Sequence, residues 1–190
     1  MKKAIIDVDE TLWSFSRAFY DEVVASGIEN FPVPEEFNYW SIFWEYLPKD
    51  AAFKFFDRVH CKQCDYKPYK EAKHFLQFLK DQGYYIVIAS HRDPKYTEEL
   101  KNWLMLCALP YDEVHVSFDK TALFNDPEVE LVVDDRPETL VRAARAGKIA
   151  IGLLKPWNKR CGKLRLFKSL KDIERYLKTG EMEDDGRHDR

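Results

Sequence analysis

The order of apolar and polar positions divides the chain into two textures. Residues 4–7, "AIID", are apolar without alternation and end in charge, which predicts a short strand covered on both faces. The same signature returns in "YYIVIAS", "EVHVS", "ELVVDD" and "KIAIGLL". Between these runs lie stretches of helical period: "YKEAKHFLQFLKDQG" stopped by Gly83, "PKYTEELKNWLMLC" fronted by Pro94, and "PETLVRAARAG" between Pro137 and Gly147. "SLKDIERYLK" predicts a last helix, and the aperiodic polar residues after it predict a flexible tail over 180–190.

The second texture runs from Trp13 to Lys67, crowded with aromatic rings, broken by Pro32, Pro34 and Pro48, and helical only in short pieces. Five apolar strands alternating with helices predict an α/β fold, a doubly wound parallel sheet built from residues 1–12 and 68–179. Residues 13–67 then form a small helical cap inserted after the first strand. At 190 residues the chain is long enough for one such core carrying an insertion.

Composition narrows the function classes. A net charge of -3 lacks the basic surplus of a non-specific nucleic-acid binder, so a negatively charged substrate must be met by local cations or a metal. No apolar run approaches the roughly 18 residues of a membrane helix. The four cysteines are unevenly spaced and no secretory signal is evident, which predicts a reducing, cytoplasmic setting. "HCKQC" (His60 to Cys64) offers one CxxC without a second pair, too little for a zinc site. Its thiols are read as buried or idle, and nothing in the sequence bears on oligomeric state.

In an open parallel sheet, ligands bind outside the carboxyl ends of the strands. Those ends carry Asp7 and Asp9, then Ser90, then Lys120 shortly after the third strand, then Asp134 and Asp135. Carboxylates gathered there repel unless some are protonated or a hard divalent ion sits among them, and magnesium suits a site of carboxylates, waters and a substrate phosphate. Lys120 and Ser90 offer a cation and a hydroxyl for phosphate oxygens. Singly, each signal has a plain alternative: the Asp or Thr of a DxDxT run can cap a helix, and "DDR" can be an exposed turn. Their succession at four strand ends favours one shared site.

"IIDVDET", "IVIAS", "FDK" and "LVVDD" resemble, in order, the four motifs of the haloacid dehalogenase (HAD) superfamily, over about residues 3 to 155. The resemblance implies a Rossmann-like core, with Asp7 as nucleophile and Asp9 as general acid and base. It also implies a magnesium site of Asp7, the backbone carbonyl of Asp9 and Asp135 with Asp134 in support, and Ser90 and Lys120 on the phosphoryl oxygens. Phosphatases of the superfamily carry the second acid that its dehalogenases lack. The run "VSFDKTALFNDPEVELVVDDRPE" and the helical insertion are similar to 5'(3')-deoxyribonucleotidases, which implies a small substrate such as a (deoxy)nucleoside monophosphate. "SHRD" with "DDRPETL" resembles the phosphatase half of polynucleotide kinase-phosphatases, which implies a substrate contact for Arg92 and an alternative substrate in nucleic-acid 3'-ends. A catalytically retired scaffold on the same fold is the rival from another class. A cap would close over the leaving group, and Thr11, Trp13, Phe15, Phe43, Trp44 and His91 are the expected pocket lining, most other insert rings being packing.

Overall fold

The computed structural model describes residues 1–181. Of the expected tail, residues 182–190 lie outside the described residues. Six parallel strands form one sheet in the order β3-β2-β1-β4-β5-β6, namely β1 (Lys3–Ile6), β2 (Tyr85–Ser90), β3 (Glu113–Val116), β4 (Val129–Val133), β5 (Ile149–Leu153) and β6 (Arg165–Phe167). The sixth was not expected. "RLF" is only three residues long, and it becomes a strand by pairing with β5 at the sheet edge, Gly152 opposite Leu166.

Helices cover both faces. On one side Ala4 and Ile6 of β1, with Ile88 and Val133, pack in a single cluster with Phe75 and Leu79 of α4 (Ala72–Asp81), Leu100 and Leu104 of α5 (Thr97–Leu106) and Ile173 of α7 (Leu170–Thr179). On the other, Ile5, Val87, Ala89 and Val132 meet Phe124 of the 3-10 turn Thr121–Asn125 and Ala143 of α6 (Pro137–Arg145). Unbroken apolar runs read as strands because alternate residues are buried on opposite faces. The α/β doubly wound architecture expected from the sequence is the one observed.

The helix ends follow local chemistry. The Ser169 hydroxyl accepts from Asp172 N–H at 3.1 Å to open α7, and Gly180, at φ 73°, closes it in the left-handed region that glycine enters without steric cost. Proline begins α6, where a missing N–H costs nothing.

Between β1 and β2 the chain builds α1 (Phe15–Ala25), α2 (Phe43–Tyr46) and α3 (Lys49–Cys61) around aromatic rings before entering α4. Phe19 sits at the hub, its ring centroid 4.9 Å from Phe56, 5.6 Å from Phe43 and 5.9 Å from Phe31. Three short helices cannot bury much aliphatic surface, and large rings supply the area.

The chain moves outward from β1 to β2 and β3, then crosses back to β4 on the other side of β1. Strand order therefore reverses between β1 and β4, where Ile6 pairs with Val133 and leaves Asp7 and Asp134 level at the carboxyl ends. Close packing at this edge depends on Gly152 of β5, because a Cβ there would stand 2.0 Å from the Asp134 carbonyl oxygen. Gly152→Ala is therefore expected to cost about 1–3 kcal/mol of stability through overpacking. A urea-unfolding midpoint unchanged from the wild type would contradict this close approach.

Candidate active site

Asp7, Asp134, Asp135 and Lys120 are each at most 4% exposed and lie together at the β1/β4 reversal. Lys120 Nζ bonds Asp7 Oδ1, lies 2.6 Å from Asp134 Oδ2 and donates to the Ala89 carbonyl at 3.2 Å. The ammonium thus ties β2 to the two acid-bearing strand ends. Asp134 Oδ1 accepts Arg136 N–H at 2.8 Å, which shapes the turn into α6. Asp7 Oδ2 is buried with no hydrogen-bond partner.

One carboxylate oxygen from each of Asp7, Asp134 and Asp135 lies within 4.8 Å of the others. Among the described residues this is the one grouping of acids, histidines or cysteines able to hold a metal ion. Oxygen-only donors and an unpartnered Asp7 Oδ2 fit a hard divalent cation. Of the thiols read as buried or idle, Cys61 and Cys64 are both exposed and outside any disulfide, and the Cys64 thiol donates to the Glu99 carbonyl at 4.0 Å.

The charges are unequal in consequence. Burial pushes the Asp7 carboxyl up to about 7; Lys120 pulls against that, while Asp134 and Asp9 add to it. Asp135 is raised well above the ordinary carboxylate range by burial and then by Asp7 and Asp134. Burial works to lower the Lys120 ammonium, but Asp134 and Asp7 outweigh it and raise the group above its usual value.

Asp9 stands in a different setting. A tight turn, with Glu10 at φ 64° and Glu10 N–H donating to the Trp13 carbonyl at 2.9 Å, follows it. Asp9 Oδ1 accepts from Arg92 Nη2 at 2.7 Å and from Trp13 Nε1 at 2.9 Å. Oδ2 is held only weakly, 3.4 Å from the Ser90 hydroxyl and 3.6 Å from His60 Nε2. Burial would raise this carboxyl, yet Arg92, followed by His60 and Trp13, holds it below the carboxylate range.

The third acid of the opening run points elsewhere. Glu10 accepts Ser16 N–H at 2.5 Å and pairs with Lys155 at 2.9 Å, and Lys155 in turn donates to the Tyr69 hydroxyl at 2.8 Å. Glu10 therefore joins the start of α1, the return from the insert and the loop after β5.

Two spaces open beside these acids. A crevice of about 40 Å3, lined by Asp7, Asp9, His91, Asp135 and Arg136, has room for a few water-sized groups. Next to it a cavity of about 610 Å3 runs under the insert, walled by Phe15, Phe43, Trp44, Phe53 and Phe56 on one side and by Phe118 and Arg136 on the other. Burial, Arg136 and Lys120 push His91 down to about 4, so it is neutral near pH 7.

Of the pocket residues expected from sequence, Phe15, Phe43, Trp44 and His91 line the large cavity, whereas Thr11 and Trp13 line neither space. Thr11 is fully buried in the turn, and the indole of Trp13 packs against Trp103 while its N–H serves Asp9. Arg92 has a side chain with 0% exposure and commits Nε to Ser90 at 2.7 Å, Nη1 to Gln63 at 2.5 Å and Nη2 to Asp9. Its contacts, like those of the buried Ser90, serve Asp9; Arg92 also lines the large cavity, and neither residue lines the small crevice.

Other residues of the site were not picked out from sequence. Trp157 Nε1 donates to Asp135 Oδ2 at 2.9 Å, and Asn158 Nδ2 donates to the carbonyls of Asp135 and Leu153 at 2.8 and 2.9 Å. Both sit in "KPWNKR", a loop that follows the carboxyl end of β5, which was the available clue. Gln63 and His60 had none.

No protein-family model and no curated protein matches the sequence. Solved structures match by shape. A HAD family hydrolase from Deinococcus radiodurans, determined with bound phosphate and sodium, superposes with a TM-score of 0.66 at 14% identity, covering 93% of this chain and 95% of that one. The fold is the HAD hydrolase fold. A predicted phosphoglycolate phosphatase from Haemophilus somnus (TM-score 0.64, 17% identity, 95% and 98% covered) and a dehalogenase with an intermediate complex (0.60, 15%, 91% and 95%) share it. HAD-fold neighbours thus include both phosphorus and carbon chemistry, and the residues of the site must discriminate.

The raised Asp135 carboxyl gives a test of the acid cluster. A carboxyl whose folded pKa exceeds its unfolded value adds stability below the unfolded pKa, and that contribution is lost as pH rises through the folded one. In chelator, Asp135→Asn should match the wild type in Tm near pH 4 and exceed it increasingly toward pH 8, by roughly 2–4 °C or more for a gain on the order of 1 kcal/mol. Magnesium should reverse the order by stabilising the wild type alone. A Tm difference independent of pH would remove the case for buried repulsion.

Proposed function

We propose that this chain is a magnesium-dependent phosphomonoester hydrolase acting on a small phosphorylated metabolite, such as a (deoxy)nucleoside monophosphate, through an aspartyl-phosphate. One observation carries the reading. Two acids two residues apart have opposite environments: Asp7, unpartnered at Oδ2, belongs to the metal-competent cluster, and Asp9, which borders the cavity, is fixed at Oδ1 with Oδ2 held only weakly. A carbon-directed nucleophile has no need of a second acid poised at the leaving group. The phosphate bound by the Deinococcus neighbour supports the same reading by analogy of fold.

Asp7, Asp134, Asp135 and the Asp9 carbonyl would hold the ion, which when bound supplies charge neutralisation for acids and phosphate alike. Asp7 attacks phosphorus in line through a carboxylate oxygen, and the P–O bond to the leaving group breaks with its electron pair on oxygen. Asp9 Oδ2 delivers a proton to that oxygen, then takes one from the water that cleaves the aspartyl-phosphate. Arg92 and Trp13 keep Asp9 ionised in the empty site, the form suited to the second step. A phosphate dianion entering the crevice adds negative charge beside Oδ2 and raises its proton affinity, recruiting the acid form for the first step. Lys120 holds Asp7 in orientation and offsets charge on the equatorial oxygens. The insert acts as a cap whose rings wall the leaving-group side and favour small substrates over polymers.

The decisive experiment is a panel of phosphorylated metabolites, mononucleotides and 3'-phosphorylated oligonucleotides, run with magnesium and with chelator. Hydrolysis of small monoesters is expected with magnesium and is abolished without it. Asp7→Asn should retain the wild-type circular dichroism spectrum and lose turnover on the order of 10^4-fold or more. Oligonucleotides as the preferred substrates would point to end processing, and no turnover of any phosphate would favour a scaffold.

A further inference from the structure

His60 lies in the last turn of α3, within the insert, and beyond its influence on the Asp9 carboxyl none of the roles above uses it. Its ring is fixed between Phe15, with centroids 5.1 Å apart, and Tyr96 at 5.3 Å, and the residue is 8% exposed. Nε2 is buried, has no hydrogen-bond partner, and belongs to a residue lining the large cavity beside Asp9. A buried ring nitrogen left unpaired costs about 1–3 kcal/mol, and the two flanking rings prevent it from turning away. Such a group calls for a partner from outside the protein.

The geometry identifies where that partner sits. Nε2 is 3.6 Å from Asp9 Oδ2, too long for a direct bond. A single oxygen can stand about 2.8 Å from both atoms, at ordinary hydrogen-bond length. Asp9 Oδ1 is already taken by Arg92 and Trp13, so Oδ2 is the atom left for proton transfer.

We infer that His60 is a further catalytic residue, supplied by the insert, whose Nε2–H hydrogen-bonds the leaving-group oxygen while Asp9 Oδ2 delivers its proton. This rests on the phosphomonoesterase reading. As the P–O bond breaks, the electron pair collects on that oxygen; the Asp9 proton neutralises it, and the His60 donor stabilises the partial charge before transfer is complete. His60 keeps its own proton throughout. The consequence is a division of labour by leaving group: an alkoxide needs both partners, whereas a stable phenolate needs neither.

The test compares wild type, His60→Phe and His60→Gln on p-nitrophenyl phosphate and on a primary-alkyl monoester such as glycerol phosphate. Phenylalanine fills the slot between Phe15 and Tyr96 without a donor, and glutamine restores an N–H of similar reach. His60→Phe is expected to lose kcat on the order of a hundredfold with the alkyl ester. With the aryl ester the loss should stay under about threefold. His60→Gln should recover most of the alkyl-ester rate. Equal losses on both esters, or no loss on either, would overturn the assignment while leaving the phosphatase reading intact. A wild type inactive on both esters and on the metabolite panel would defeat that reading, and this assignment with it.

Discussion

The arrangement turns on like charge confined in a small buried volume. Asp7, Asp134 and Asp135 are brought within ligand distance of one another by strand register, not by attraction. Placing carboxylates out of water and side by side costs several kcal/mol per ion unless opposite charge is in contact. Lys120 contacts two of the three, and its hold on the Ala89 carbonyl ties that cation to β2. Asp135 is braced differently, by Trp157 on its side chain and Asn158 on its carbonyl. Charge that the protein alone does not neutralise is what makes a cation-seeking site, and the elevation of Asp7 and Asp135 is its electrostatic signature.

Two aspartates separated by a single valine are driven in opposite directions. Burial and acidic neighbours raise Asp7; Arg92, His60 and Trp13 depress Asp9. Pairs of titratable groups whose surroundings push their proton affinities apart mark acid–base division of labour. Here the setting of Asp9 depends on the insert as well as the sheet, since Gln63 anchors Arg92 and His60 borders Oδ2. A movement of α3 relative to the sheet would therefore alter Asp9 and the cavity together.

The aromatic insert has two populations of rings. Phe19, Phe31 and Phe37 are buried and give three short helices a core. Trp44 and Phe53 remain 39% and 50% exposed, and with the 61% exposed Phe118 they border the large cavity. Rings that small helices do not bury for packing are left to wall the cavity.

The strands were legible because a strand in a two-faced parallel sheet must be apolar throughout, and "AIID", "YYIVIAS" and "ELVVDD" have no other economical reading. From strand order and the carboxyl-end rule, the sequence by itself located Asp7, Asp9, Lys120, Asp134 and Asp135 as residues that could meet. It did not reveal β6, whose three residues are a strand only beside β5, nor the fate of Glu10, which resembles its acidic neighbours in composition yet faces Lys155 and Ser16. Arg92, read as a substrate contact, lines the large cavity and also braces Asp9, a second task the sequence did not show, and nothing periodic marks Trp157, Asn158, Gln63 or His60 for the contacts they make. Periodicity and chain order are local properties that sequence records directly. Which side of a turn a carboxylate faces, and which distant donor reaches it, is set by packing between elements far apart in the chain, so only the tertiary structure decided them.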